Sequence, residues 1–108
     1  MSSWRDALVS SSMTLRQTIE AITAGNLQIA LVVDAQNKLL GTITDGDIRK
    51  AILAGKDLEI TAAEAMRKNP ATSAASTPRA AILKVMRERR IHQMPLVDEA
   101  GKIGRAHV

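Results

Sequence analysis

The sequence predicts an α/β (α+β) module of two related halves packed about a pseudo-twofold axis. Three observations carry this expectation. Gln28-Ile-Ala-Leu-Val-Val-Asp34 returns 64 residues later as His92-Gln-Met-Pro-Leu-Val-Asp98, an internal repeat whose apolar positions keep step. Each copy reads as helix, buried strand, turn, strand, which gives βαββα-type halves once the flanking segments are added. A unit of about 50 residues buries too little surface to stand alone, so the two copies must share a core.

The first helix opens at Thr14, whose hydroxyl pairs with Gln17 in a capping-box pattern. Leu15, Ile19 and Ile22 then fall on one helical face, and Gly25 ends the helix. Ile29 to Val33 is a short β-branched run, suited to a strand buried on both faces. Asp34-Ala-Gln-Asn37 is a turn sequence that reverses the chain into a partner strand, Leu39 to Thr44. A second helix over Asp45 to Ala54 puts Ile48, Ala51 and Ile52 on one face and stops at Gly55.

In the connecting residues 55–76, Ile60 to Met66 predicts a short helix, and Ala71 to Ala75 a short strand. The second copy opens on Thr77-Pro78, read as an N-cap with proline at the first helical position, and continues through Ile82, Val85, Met86 and Arg89. Asp98-Glu-Ala-Gly101 is its turn. Carried forward, the repeat would have Gly104-Arg-Ala-His-Val108 mirror Leu40-Gly-Thr-Ile-Thr44, and it does not. The expected division is a first unit at 1–56, a second at 57–103, and an unmatched tail at 104–108. The second half is thus expected to be truncated, without most of its last strand and its last helix.

Composition narrows the function classes. Of the 108 residues 45% are hydrophobic, yet there is no Phe or Tyr and a single tryptophan, Trp4, so the core is aliphatic. Bases have no aromatic platform to stack on, which counts against a nucleic-acid partner despite a net charge of +4. The absence of cysteine excludes disulfides, thiolate metal sites and thiol nucleophiles. With no membrane-length apolar run and no signal-peptide core, the expectation is a soluble, cytoplasmic protein. No nucleophile–base pair or metal-ligand cluster is visible, and the chain is read as a non-enzyme.

The sharpest local signal is Gly41-Thr-Ile-Thr-Asp-Gly-Asp47, at a strand-to-helix junction. Thr44 and Asp47 can face the same first helical turn, where free backbone N–H groups favour polar ligands. A carboxylate there can accept from the two hydroxyls of a ribose diol. Thr-x-x-Asp is equally a helix cap, and one pair can serve both purposes. Asp45 beside Asp47 is a thin cation site. Arg49 stands one helical step from Asp47, within reach of a phosphate or simply on the surface. Arg87, Arg89 and Arg90 form a basic cluster near a helix C-terminus, where cations are favoured anyway.

The order helix, buried strand, Leu40-Gly-Thr-Ile-Thr-Asp-Gly-Asp-Ile48, helix, followed by Arg90-Ile-His-Gln-Met-Pro-Leu-Val-Asp98, resembles the CBS-domain family across residues 8–103. The resemblance implies a tandem CBS pair (a Bateman module) that regulates an enzyme by sensing adenosine nucleotides. It implies that Thr44 and Asp47 hold a ribose, that His92 faces phosphates, and that Leu27 and Gln28 line the adenine pocket. His92 is as readily a structural residue at a strand entrance. Gln93 stands where nucleotide-binding members often carry Arg. The implied ligands are AMP, ADP or ATP, with S-adenosylmethionine also presenting a ribose diol. The implied partners are a second copy in a homodimer and the catalytic domain of a larger enzyme. Thr44-Asp-Gly-Asp-Ile-Arg49 with the Trp4-containing start is most similar to CBS pairs of bacterial sugar-phosphate nucleotidyltransferases, and similar phrases occur in CBS pairs fused to sugar-phosphate isomerases. The rival reading is a structural dimerisation module with an empty cleft.

Overall fold

The computed structural model describes residues 4–25 and 28–107, with 105–107 described by backbone alone. A 3-10 turn, Trp4–Ala7, leads into β1 (Leu8–Ser10), α1 (Leu15–Gly25), β2 (Ile29–Val33), β3 (Leu39–Thr44) and α2 (Asp45–Leu53). A linking segment carries the short helix α3 (Ala62–Ala65) and strand β4 (Arg67–Lys68). The second half follows as β5 (Ser73–Ala74), α4 (Arg79–Arg89), β6 (Met94–Val97) and β7 (Ile103–His107). The strands form two sheets, ordered β1-β2-β3-β4 and β5-β6-β7.

The repeat is obeyed in backbone detail. In each half a parallel pair flanks the crossover helix, β1 with β2 around α1 and β5 with β6 around α4. Ala30 pairs with Ile43 and Val33 with Leu39, while their counterparts Met94 and Val97 pair with His107 and Ile103. Both ladders even shift register at the same place, between Val32 and Val33 and between Leu96 and Val97. Residues 104–107 are therefore strand, not an unmatched tail, and the second half has its last strand. Their side chains break the repeat, but a ladder is held by backbone N–H and C=O groups, which every non-proline residue supplies.

The turns repeat as well. Asp34 Oδ1 accepts from the N–H groups of Gln36 and Lys38, both at 2.9 Å, and Asp98 Oδ1 accepts from Ala100 and Lys102 at the same distance. The positive φ that closes each turn falls on Asn37 (63°) and Gly101 (82°), residue types that tolerate it. The two turns then bond to each other. Leu39 N–H donates to Gly101 O at 2.9 Å and Ile103 N–H to Asn37 O at 3.0 Å, a reciprocal pair across the pseudo-twofold.

Three apolar clusters fill the layers. One joins Leu15 and Ile22 of α1 to Ala30, Val32 and Ile43 of the first sheet, with Ile48 and Ala51 of α2 closing it. A second lies between the halves, where Ile29, Leu31 and Val33 meet Ile103, with Trp4 and Val97 at its margin. The third packs Ile82 and Met86 of α4 on Met94 and Leu96. The linking segment sides with the first half: Leu15 and Arg16 N–H donate to Ile60 O and Leu58 O, Ala62 N–H donates to Met13 O, and β4 extends the first sheet. By packing, the linking segment through Lys68 thus rests on the first half. α4 starts one residue later than expected. Pro78 is its N-cap, without a side-chain cap hydrogen bond, and Thr77 lies outside the helix.

Asp34→Ala removes the acceptor of two turn N–H groups and leaves the Asn37 conformation unsupported. A loss of about 1–2 kcal/mol is expected, read as a fall in Tm by thermal denaturation.

Candidate functional site

Strand β3 runs straight into α2, and Thr44 is the hinge residue between them. It is the helix N-cap, with extended backbone (φ −109°, ψ 172°). Its hydroxyl accepts from Asp47 N–H at 3.4 Å and donates to Asp47 Oδ2 at 3.1 Å. Asp47 Oδ2 also accepts from Thr44 N–H at 2.9 Å, completing a capping box. The cap reading of Thr-x-x-Asp therefore holds, and it does not exhaust the pair. Asp47 Oδ1 has no hydrogen bond among the described residues, and the Thr44 oxygen keeps one lone pair. What remains is an array of acceptors, suited to a ligand that brings hydroxyl donors.

That array opens into a cleft of about 500 Å³ between the halves, a size typical of small-molecule sites. The first half contributes Gln28, Ile29, Thr42 and the Thr44–Asp47 turn; the second contributes residues 89–93 and Pro95; the linking segment adds Arg67, Pro70 and Ala71. Thr44, Asp47, Gln28 and His92, expected as site residues from the sequence, are thus brought together on one cleft. Arg49 is not among them. It is exposed on α2 and absent from the cleft wall, because two residues on from Asp47 the helix has turned about 200° and its side chain leaves on the opposite side. Leu27 lies outside the described residues. Asp45 lines the cleft, but among the described residues no cluster of three potential ligands could hold a metal ion.

Three guanidiniums were missed as site residues. Arg89 and Arg90 line the cleft rather than merely facing solvent at the end of α4, and Arg67 joins them from β4. The cleft carries three arginines against two carboxylates. The carboxylates sit together at the start of α2, so the wall is polarised rather than uniformly charged. Gln93 is also on the wall, with Arg89 and Arg90.

Backbone strain gathers here too. Gln28 (φ 63°) and Arg90 (φ 56°) are non-glycine residues in the left-handed region, and both line the cleft. Each follows a helix of its half, where the chain must reverse sharply into a buried strand. Such conformations cost on the order of 1 kcal/mol and are held by their surroundings, often at functional sites.

A CBS-domain family model matches residues 4–54 and 62–104. The chain belongs to the CBS-domain family. Among curated relatives, arabinose 5-phosphate isomerase GutQ of Shigella flexneri is 35% identical over 77 residues, covering 71% of this chain and 24% of that protein. A protein of Rickettsia prowazekii is 33% identical over 101 residues, covering 94% of this chain and 31% of that protein. The chain thus spans about a quarter to a third of the length of these relatives. These relatives of stated activity are arabinose 5-phosphate isomerases, and the expected likeness to nucleotidyltransferases is not supported.

Solved structures agree on the fold. The CBS domain protein PAE2072 from Pyrobaculum aerophilum, complexed with AMP, superposes with a TM-score of 0.83 at 15% identity, covering 99% of this chain and 86% of that one. The CBS pair of protein MJ0100, complexed with 5′-methylthioadenosine and S-adenosyl-L-methionine, gives 0.83 at 25% identity, over 94% and 79%. The cytosolic domain of the Mg2+ channel MgtE, complexed with ATP, gives 0.76 at 20% identity, over 92% and 40%. The tandem CBS pair is therefore this chain's architecture. Among the described residues no helix is long and apolar enough to cross a membrane.

The CBS pair holds Arg67 in the cleft through a close approach of two strands. Gly41 pairs with Lys68, and a Cβ on Gly41 would stand 2.7 Å from both Arg67 O and Met66 Sδ. Gly41→Ala must therefore push β4 off β3. A stability loss of about 1–3 kcal/mol is expected, with faster hydrogen exchange localised to β4.

Proposed function

We propose that the cleft binds an adenosine nucleotide of the AMP, ADP or ATP type, and that the chain regulates an attached or partner enzyme. One observation carries the reading. The free acceptors of Thr44 and Asp47 line one cleft together with three arginines, Arg67 from the first sheet and Arg89 and Arg90 from the second half. The acceptors suit the donors of a ribose diol, and the guanidiniums suit phosphate. Gln28, with donor and acceptor on one amide, offers the adenine edge a two-way partner. AMP and ATP in structures of the same fold support this ligand class. Because the ligand touches both halves, its binding favours the arrangement in which both walls reach it, and that preference is what a regulated enzyme can read. The isomerase relatives, each far longer than this chain, support a sugar-phosphate isomerase as that enzyme.

The same reading includes a homodimer. Among the described residues the exposed large hydrophobics are Ile52 (54%), Leu53 (81%) and Leu83 (37%), on α2 and α4. Two copies meeting through these helices remove that surface from water.

Two experiments test this. Because Asp47 caps α2, Asp47→Asn is a better probe than alanine: the amide oxygen still accepts from Thr44 N–H, while the charge that draws ribose hydroxyls is gone. Titration calorimetry should show nucleotide affinity falling about tenfold or more with the melting curve nearly unchanged, and 2′-deoxy nucleotides binding as weakly to the unaltered protein. Equal affinity for ribose and deoxyribose forms would refute the diol assignment. For the dimer, Leu53→Glu should shift sedimentation from two copies to one, and an unaltered oligomeric state would refute the helix-face assignment.

A further inference from the structure

We propose that this cleft selects among adenosine ligands by charge at the 5′ end, preferring a polyphosphate and disfavouring a sulfonium, with Arg67, Arg89 and Arg90 as the specificity-determining residues. The proposal rests on the nucleotide reading above and goes beyond it, since related folds hold ligands of opposite charge, ATP in one and S-adenosyl-L-methionine in another.

The three guanidiniums are unspent. The ion pairs among the described residues are Arg16 with Glu59 and Lys84 with Glu88, neither of which involves the cleft arginines. Of the two carboxylates on the wall, Asp47 is already committed through Oδ2 to the cap of α2. The helix-end explanation, that cations gather where a helix dipole is negative, covers Arg89 and Arg90 but not Arg67. Arg67 stands on a two-residue strand, fixed by its pairing with the buried, cleft-lining Thr42. Nothing in the packing of β4 requires a guanidinium there.

The three also come from both sides of the cleft. Arg67 belongs to the first sheet, whereas Arg89 and Arg90 end α4 of the second half. The αL conformation of Arg90 holds the chain at the cleft wall at a cost that glycine would avoid. One phosphate satisfies one guanidinium fork well; a chain of two or three can engage arginines from both halves at once. A sulfonium amino-acid tail brings positive charge toward the same groups. Its carboxylate recovers part of that loss, but the sign of the field still separates the two ligand classes.

Calorimetry on the whole chain with AMP, ATP without added divalent cation, and S-adenosylmethionine tests this, at two salt concentrations. ATP should bind at least about tenfold more tightly than AMP, and S-adenosylmethionine more weakly than AMP. The ATP affinity should fall more steeply with salt than that of AMP. Arg67→Gln should lower ATP affinity about tenfold and AMP affinity by no more than about threefold, with Arg89→Gln as an independent second variant and circular dichroism melts to confirm folding. If AMP binds but S-adenosylmethionine binds as well as ATP, the charge selection is overturned while the nucleoside site stands. ATP affinity unchanged in folded Arg67→Gln overturns the role of Arg67. If no adenosine ligand binds, the nucleotide reading itself falls, and this inference with it.

Discussion

Two backbone hydrogen bonds fix how the halves of this protein meet. Leu39 N–H reaches Gly101 O, and Ile103 N–H reaches Asn37 O, each linking the turn of one half to the strand of the other. The pair is reciprocal because the two turns are the same object, each built on an aspartate that accepts from the N–H groups two and four residues ahead. It is possible only because Asn37 and Gly101 take positive φ, which aims their carbonyls across the pseudo-twofold. Beneath it, Ile29, Leu31 and Val33 pack with Ile103 to supply the apolar attraction, while the hydrogen bonds supply the register. Everything at the cleft depends on that register, since its two walls belong to different halves.

The two halves are nearly symmetric in backbone and asymmetric in the side chains they bring to the cleft. Their ladders match residue for residue from Ala30 to Val33 and from Met94 to Val97. The first half carries the acceptors at the start of α2 and, through β4, Arg67; the second carries Arg89, Arg90 and His92. A ligand with hydroxyls at one end and negative charge at the other reads both halves together, and neither half alone presents the full pattern.

How much of this was legible in the sequence follows from what kind of force sets each part. The helices α1, α2 and α4 and the buried strands β2 and β6 announce themselves by apolar period, caps and turn residues, all local signals. Thr44 and Asp47 were legible because capping demands a fixed spacing. Strand β4 was not: two exposed, charged residues have no periodicity, and they become a strand only because Gly41 leaves room for them on β3. Arg67 was missed with it. Arg89 and Arg90 were visible as a cluster, but their facing the cleft depends on the αL residue that ends α4, which a sequence pattern does not display at an arginine. Strand β7 was misread for the opposite reason: side-chain mismatch at 104–107 hid a backbone ladder that needs no particular side chains.

The polarity of the cleft has an energetic consequence for signalling. A free protein with three arginines lining the cleft from both halves, and left-handed backbone at Gln28 and Arg90, keeps unfavourable terms that a bound anion would relieve. Small domains have only about 5–15 kcal/mol of stability in total. A ligand at about 100 times its dissociation constant contributes roughly 2.7 kcal/mol, a sizeable part of that margin, if it binds only the folded form. Because the contacts come from both walls, much of this free energy bears on the junction between the halves rather than within either one. The junction is held by an apolar cluster of Ile29, Leu31, Val33 and Ile103 and by a reciprocal pair of hydrogen bonds. A ligand that bridges the cleft therefore acts directly on that junction, which is the physical condition a sensing module has to meet.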